Sequence, residues 1–548
     1  MELSGTDRVG APGDDVGGHE SLRALLEARA AEMGSKPLIT LPDARLTYAE
    51  TDDLVNRMAD VLAGLGYGAG DIVMIRAPNG WGMFATWLAC AKLGAVYLPL
   101  NFLLTGEPLR QVMVHSRARI LVVAHNLVAD VEAIREGLPD LRHLLVLGGP
   151  AHSGGPPRVD DLIAQASGRA PAALVHDPGA PAKLMYTSGT TGVPKGVVWS
   201  RRCEVVWAHS YGEECLPIEV GESLYCCLPM FHVTCQGTVL AALARGGHVT
   251  VDCGFDILAF WGRVRSAEAV MFTFVGSILS ALARRRPDPS DLENPVRRIL
   301  GAATPVRRWR EIEDRFGLEL AETWGQTETA SCWSWPARGL PQTPGTVGVP
   351  SDRWDARIVD RRQRCLGPGE AGELWMRPKA DHVMFEGYLG TEGPSAPTRE
   401  LWTADGWYRT GDLLQWTDDG ELQFVGRRRD AIRRAGEMIP PSFIEEAAVT
   451  HPGIVEAAAV GVPADDGIEE EVLLCVVAAE ATELDLVEVT AFLAGVLPRH
   501  LVPRWLRVHT ELPKTPTTRV RKFELRALGT SEAWDTRRRR RSGEPRRS

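Results

Sequence analysis

The chain predicts an α/β protein: a large N-terminal part of βαβ-type units, then a small α+β C-terminal part. Three observations carry this reading. At 548 residues the chain is too long for a single compact core. Short apolar runs alternate with segments whose apolar residues recur at helical spacing. Near the middle, a loop dense in Gly, Ser and Thr is set between two extended runs, which fits an anion-binding turn better than a helix interior.

In chain order, residues 21–60 read as helical, interrupted by Leu46-Thr47-Tyr48-Ala49-Glu50. Leu54, Met58, Leu62 and Leu65 then keep helical spacing. Ile72-Val73-Met74-Ile75 is a buried-strand pattern, Pro78-Asn79-Gly80 a turn, and a helix follows to about Gly94. Ala95 to Pro99 is the next strand. Met83 to Leu100 is the most apolar run, but Lys92 and Gly94 interrupt it, so it reads as helix plus strand and not as a membrane span. Ile120–Val123 and Leu144–Leu147 continue the alternation of a mostly parallel sheet. Gly148 to Pro157 reads as a loop. Ala182–Met185 and Gly196–Trp199 are strands, and a helix starts at Arg201. Arg201 and Arg202 are either solvated charges or groups on the phosphate side. In the C-terminal part, Val455–Val462 and Glu471–Val477 are strand-like, and a helix lies near Leu486–Leu497. The expected divisions are a disordered N-terminus at 1–20, a large domain at 21–426, a small domain at 427–527 and a disordered basic tail at 528–548 that carries Arg537 to Arg541.

Composition narrows the function. A net charge of −10 argues against a general nucleic-acid binder, and 44% hydrophobic residues is ordinary for a soluble globular chain. Met1 to Glu20 has neither a basic start nor an apolar core, so it is not read as a signal peptide. The 10 cysteines form no C-x-x-C pair and are expected to be reduced thiols in a cytoplasm. Only 7 of the 61 basic residues are lysine, so an arginine standing where a lysine is expected is compatible with compositional drift.

The central loop is Tyr186-Thr187-Ser188-Gly189-Thr190-Thr191-Gly192-Val193-Pro194-Lys195-Gly196. Its three glycines let the backbone N–H groups close on an anion, its hydroxyls add donors, and Lys195 adds a fixed positive charge. No G-x-x-x-x-G-K-[ST] is present, so it is not the Walker form. The stretch resembles the signature loop of the adenylate-forming superfamily, which includes acyl-CoA synthetases, luciferases and the adenylation domains of peptide synthetases. The likeness extends from about residue 20 to 527 and is greatest to carboxylate–CoA ligases of the carnitine or fatty-acid type.

The resemblance implies a large adenylating domain, a small mobile C-terminal lid, and ATP use with release of pyrophosphate and AMP. It places Thr187, Ser188, Gly189, Thr190, Thr191, Gly192 and Lys195 on the phosphates. Gly301, Ala302 and Ala303, followed by Thr304-Pro305, match the segment whose backbone lies along the adenine. Glu322-Thr323-Trp324-Gly325-Gln326-Thr327-Glu328 matches the next motif, with Glu322 and Thr323 expected at the nucleotide. There Trp324, in place of tyrosine, stacks on adenine, Thr327 donates to the α-phosphate, and Glu328 holds magnesium, a hard cation that requires oxygen ligands. His232, within Leu228-Pro229-Met230-Phe231-His232, and Gly325 are expected at the substrate pocket; a packed structural imidazole is the other reading of His232. Trp333 and Trp335 either line a pocket for a flat substrate or belong to the core. Gly372–Trp375 and Met384–Tyr388 match a structural strand-and-turn segment. Asp412, in Thr410-Gly411-Asp412, is the expected ribose anchor, joined by Arg427, and Arg429 stands at the hinge.

One motif departs from the family. Leu512-Pro513-Lys514-Thr515-Pro516-Thr517-Thr518-Arg519-Val520 has Thr518 for the usual glycine and Arg519 for the lysine that bridges the carboxylate and the α-phosphate. Three readings stand: Arg519 does the lysine's work, Lys514 or Lys522 replaces it, or adenylation is altered. The expected reaction activates a small-molecule carboxylate with ATP and passes the acyl group to a thiol, with coenzyme A expected as co-substrate. Alternatives are amide formation or nitrite activation to diazotise an aromatic amine, both in bacterial secondary metabolism, or a nucleotide-binding homologue that has lost catalysis.

Overall fold

The computed structural model describes residues 19–150, 155–187, 195–304, 306–330, 334–335, 341–390, 400–434, 437–465, 469–479, 484–514 and 520–537. The chain forms two compact units, one comprising Met1–Ala356 and Met376–Tyr408, the other Arg357–Trp375 and Arg409–Ser548. The domain junction expected at 426/427 falls at the end of the strand Leu422–Arg427, within the second unit.

The first unit holds two seven-stranded sheets. One runs, in spatial order, Gly387–Tyr388, Lys195–Ser200, Pro181–Thr187, Val96–Pro99, Ile72–Arg76, Ile120–Ala124 and His143–Leu147. Its last five strands are parallel; Lys195–Ser200 is antiparallel to both of its neighbours. The continuous apolar runs at Ile72 and Ile120 are what a parallel strand buried on both faces requires. The helix Trp81–Leu93 crosses between the first two of these parallel strands in chain order and is buried along nearly its whole length. The other sheet runs Glu319–Glu322, Arg298–Ala302, Ala269–Val275, Ser223–Cys226, His248–Val251, Pro37–Leu41 and Ala44–Thr47, parallel except for the terminal hairpin.

That hairpin corrects the helical reading of 21–60. Helix Leu22–Met33 ends at Gly34, strands Pro37–Leu41 and Ala44–Thr47 follow, and a second helix begins at Tyr48. Leu46 to Glu50 is therefore no break in a helix. Thr47 accepts from the Glu50 N–H while the Glu50 carboxylate accepts from the Thr47 N–H, a capping box that starts the helix Tyr48–Gly64.

His248 ties this sheet across three strands. Its ring nitrogens lie 2.9 Å from Thr40 Oγ1 and 3.0 Å from Ser223 Oγ. Burial, with a smaller contribution from Arg45, pushes its pKa down to about 4. The native state therefore resists a proton that the unfolded chain accepts near pH 6.5. The stability concerned is fully present above about pH 6.5 and is lost as pH falls through about 4, a change of about 1–3 kcal/mol. The expected result is a Tm that falls between pH 6.5 and 4, with a shallower slope in His248→Gln; equal slopes in the two proteins count against it.

A four-stranded sheet has the order Trp354–Val359, Gly372–Pro378, Tyr408–Trp416 and Leu422–Arg427. In the second unit, another four-stranded sheet has the order Ile454–Pro463, Glu470–Ala478, Trp505–His509 and Trp534–Asp535. One face of the latter packs Ala459, Leu474 and Val476 against Ile444, Val489 and Leu493 of two helices. The expected disorder of 528–548 is corrected in part. Trp534 and Asp535 pair antiparallel with Leu506 and Trp505, and Arg537 donates to Glu471. Neither the N-terminal expectation for 1–18 nor that for 538–548 can be placed, since both lie outside the described residues.

No helix among the described residues is long and apolar enough to cross a membrane. The described cysteines, including Cys90, Cys203 and Cys226, are free thiols.

Candidate active site

The strands Pro181–Thr187 and Lys195–Ser200 frame the Gly/Thr loop, with Thr187 directly opposite Lys195. Ser188, Gly189, Thr190, Thr191 and Gly192 lie outside the described residues. A Cβ on Gly196 would come within 2.9 Å of the Leu184 side chain and 3.2 Å of the Tyr186 ring, so a larger residue here would make those side chains shift beside Lys195.

Beneath this frame the side chain of Lys183 is fully buried. Its Nζ lies 2.8 Å from Glu204 Oε1 and 2.8 Å from Gln236 Oε1. Three indoles surround it, with ring centroids at 4.6 Å (Trp87), 5.0 Å (Trp199) and 4.9 Å (Trp207). Burial lowers the Lys183 pKa, and Glu204 opposes that shift. A carboxylate, an amide oxygen and three π faces thus replace the water this ammonium has lost.

Glu328 lies in a short 3-10 turn, Thr327–Thr329. The Thr327 carbonyl accepts from Trp199 Nε1 at 2.8 Å, and the Glu328 carbonyl accepts from the Phe385 N–H at 2.9 Å. The hydroxyl of Tyr388 donates to Glu328 Oε1 at 2.8 Å, and the Tyr388 ring centroid is 5.0 Å from Lys195 Nζ. Burial first, and the Glu328 charge second, hold the Tyr388 phenol well above its usual pKa, so it remains a donor. The structure thus brings Lys195, Tyr388 and Glu328 together, although Tyr388 was read only as part of a structural segment. Antiparallel pairing of Gly387 and Tyr388 with Val198 and Val197 places it there, and that pairing leaves no local trace in sequence.

The segment expected along adenine is the end of the strand Arg298–Ala302 and the turn after it. A Cβ on Gly301 would meet the Phe274 carbonyl oxygen at 2.4 Å, which accounts for the glycine. Ala303 has a left-handed φ of 63°. Glu322 holds that turn: its carboxylate accepts from the Ala303 N–H at 2.7 Å and from the Thr304 N–H at 3.2 Å. Its charge is directed at backbone donors, so its place in the site is to set the turn. Glu322→Gln leaves an amide NH₂ facing a backbone N–H and is expected to cost about 1–3 kcal/mol at the turn. The check is a raised KM for ATP with a lowered Tm; unchanged values of both would count against the role.

Trp324 is 5% exposed, its N–H donating to Ser334 Oγ at 3.0 Å, whereas the neighbouring Gly325 is exposed. Thr323 N–H donates to the Gly301 carbonyl at 2.9 Å, which ties this motif to the Ala302–Ala303 turn. Trp335 is buried in the two-residue strand Ser334–Trp335; Trp333 lies outside the described residues. His232 caps the helix Val233–Arg245, its Nδ1 accepting from the Thr234 N–H at 3.3 Å.

In the second unit, Asp412 and Arg427 face each other on adjacent strands, with Nε and Oδ1 3.6 Å apart. The Asp412 side chain is 5% exposed. Gly411 takes a left-handed φ of 70°, and its N–H donates to Glu373. Arg429 is 4.0 Å from Asp430 and half exposed. Lys514 pairs with Glu456 at 2.9 Å and Lys522 with Glu445 at 2.6 Å. Arg519 lies outside the described residues.

Residues 26–389 match the AMP-binding enzyme family, and residues 444–519 match the AMP-binding enzyme C-terminal domain. The chain belongs to the AMP-binding enzymes. The sulfoacetate–CoA ligase of Cupriavidus necator is 33% identical over 516 residues, which cover 92% of this chain and 97% of that one. The indoleacetate–CoA ligase of Aromatoleum aromaticum is 30% identical over 513 residues, covering 92% and 98%. The fold is shared with the crystal structure of an anthranilate CoA ligase in complex with anthranoyl-AMP, at a TM-score of 0.83 and 22% identity, covering 93% of this chain and 97% of that one. The AMP-binding enzyme match ends at residue 389, one residue past Tyr388, so it takes in Lys195, Glu328 and Tyr388 together.

Proposed function

We propose that the chain is an ATP-dependent, AMP-forming carboxylate–CoA ligase. The observation that carries this is the arrangement of Lys195, at the end of the Gly/Thr loop, over the Tyr388 ring, with Glu328 on the Tyr388 hydroxyl. It stands on a chain that matches carboxylate–CoA ligases over nine-tenths of its length. In the first step a carboxylate oxygen attacks the α-phosphorus of ATP. A P–O bond forms, the α–β phosphoanhydride breaks, and pyrophosphate leaves. In the second step the thiol of coenzyme A attacks the acyl carbon, loses its proton to solvent, and expels AMP. No side-chain nucleophile is required: adenylation supplies the leaving group, and the protein supplies charge and alignment.

Thr187, Ser188, Gly189, Thr190, Thr191 and Gly192 hold the phosphates with backbone and hydroxyl donors, and Lys195 meets their charge. The Gly301–Ala303 turn, set by Glu322, lies along adenine with Trp324 against the ring. Thr327 serves the α-phosphate, Asp412 and Arg427 the ribose, and His232 and Gly325 the acyl group. Arg519 takes the bridging lysine's place, and Arg429 is the hinge about which the small domain turns between steps.

The donor set fits magnesium carried in with ATP. Among the described residues no group of three or more His, Cys, Asp or Glu forms a cage, and Glu328 offers a single carboxylate. A magnesium ion uses one or two protein carboxylates and takes its other ligands from phosphates and water. When bound, it neutralises phosphate charge. A cytoplasmic setting supplies the ATP and coenzyme A the reaction consumes and suits free thiols.

The test is pyrophosphate release over a panel of acids that includes sulfoacetate, indoleacetate and anthranilate, with and without coenzyme A. Acyl-CoA and AMP in equal amounts are expected. Pyrophosphate release that needs an amine or nitrite, with coenzyme A untouched, would replace this reading with amide formation or diazotisation.

A further inference from the structure

We propose that Tyr388 is a positioning residue for adenylation, aiming the Glu328 carboxylate and seating the Lys195 ammonium; this rests on the reading above, in which those two groups meet ATP. The backbone around Tyr388 is pinned on both sides. Glu386 N–H donates to the Val198 carbonyl at 2.8 Å and Leu389 N–H to the Gly196 carbonyl at 2.8 Å. Three residues before Tyr388, Phe385 N–H donates to the Glu328 carbonyl, and the Phe385 ring meets the Tyr388 ring edge-on at 5.5 Å. The phenol therefore approaches Glu328 from a fixed frame, and the same short segment holds both the backbone and the side chain of Glu328.

The two contacts do different chemistry. The hydroxyl donates its one hydrogen bond to Oε1, which orients the carboxylate and directs its remaining lone pairs. The ring meets Lys195 through its π face. Among the described residues, Lys195 has no carboxylate within ion-pair distance, so its position is set without cancelling its charge. A carboxylate in Tyr388's place would hold the ammonium but neutralise the charge the phosphates require. One side chain thus keeps a cation and an anion apart and aimed, which a direct Lys195–Glu328 ion pair could not do.

The experiment uses the full chain and ATP as the probe. Dissociation constants are measured by titration calorimetry with magnesium and with EDTA, for the starting protein, Tyr388→Phe, Tyr388→Leu, Glu328→Ala and the Glu328→Ala/Tyr388→Phe double variant. Tyr388→Phe keeps the ring and loses the hydroxyl. It is expected to weaken magnesium-dependent ATP binding about tenfold, the lower end for partners that orient a metal ligand, while binding in EDTA is unchanged. Tyr388→Leu is expected to weaken binding in EDTA as well, because Lys195 loses its seat. In the Glu328→Ala background, Tyr388→Phe is expected to change nothing further. The proposal is overturned if Tyr388→Phe binds like the starting protein in magnesium. It is equally overturned if the variant loses the same factor in both media, or if its effect persists without Glu328; those results describe packing. If Tyr388→Leu does not fold, the phenylalanine variant and the double variant still decide. If the starting protein itself binds no ATP, the adenylation reading fails instead, and the two failures are distinct.

Discussion

Lys195→Ala and Glu328→Ala are each expected to lower acid-dependent pyrophosphate release about 10²–10³-fold, the loss seen when a preorganised charge-stabilising group is removed. Lys195 begins the strand that follows the Gly/Thr loop, with Thr187 opposite it, so its ammonium starts from a fixed backbone. Glu328 is held by Phe385 and Tyr388. Neither side chain packs a core, so both variants are expected to keep the Tm of the starting protein, and the loss is expected in kcat more than in KM. Because the two groups act on one charge distribution, the double variant should fall by less than the product of the single effects. Rates near those of the starting protein in both single variants would show that the chemistry lies elsewhere.

Arg519→Ala is expected to slow adenylation about 10²-fold and to spare thiol attack on a preformed acyl-adenylate. The distinction follows from where charge develops. A cation that bridges carboxylate and α-phosphate acts while oxygen attacks phosphorus, and that demand has gone once the adenylate exists. Arg519→Lys is expected to keep much of the rate, since a point charge reaches the same oxygens without the guanidinium fork. Lys514 and Lys522 are poor substitutes because each already holds a carboxylate, Glu456 and Glu445. Lys514→Ala and Lys522→Ala are therefore expected to be mild. Single-turnover measurement of both half-reactions checks all four variants. Equal loss in both half-reactions for Arg519→Ala would move its role from transition-state charge to domain packing.

What was legible in the sequence was whatever lies in contiguous residues. The Gly/Thr loop with Lys195, the motif ending at Glu328 and the alternation around Ile72 and Ile120 each carry their physics within about ten positions. The resemblance puts Asp412 and Arg427 together on the ribose, and the structure sets them opposite each other on neighbouring strands, a register that no local pattern reports. Tyr388 escaped because its importance comes from pairing with a strand some 190 residues earlier, and no local period reports that. Glu322 is expected at the nucleotide from its motif alone; that its oxygens accept from the N–H groups of Ala303 and Thr304, tying the ends of two parallel strands, is visible only in the fold. The hairpin Pro37–Thr47 was missed for a different reason. Its strands are short and flanked by strong helices, and the Thr47–Glu50 capping box that marks the second helix's true start was taken as a break.

The Lys183 cage has a consequence for how this lineage can vary. Lys183, Glu204 and Gln236 come from a strand and two helices, and Trp87, Trp199 and Trp207 close around them. Removing the ammonium strands a buried carboxylate; removing the carboxylate strands an ammonium; trimming an indole takes a π face from the ammonium and leaves a gap in the packing. Such a set is inherited as a block, and drift among close relatives is expected to preserve all six or exchange charge and aromatics together for an apolar filling. Sequences that have lost Lys183 alone should therefore be scarce, and the residues at 87, 199, 204, 207 and 236 should track position 183 across the family.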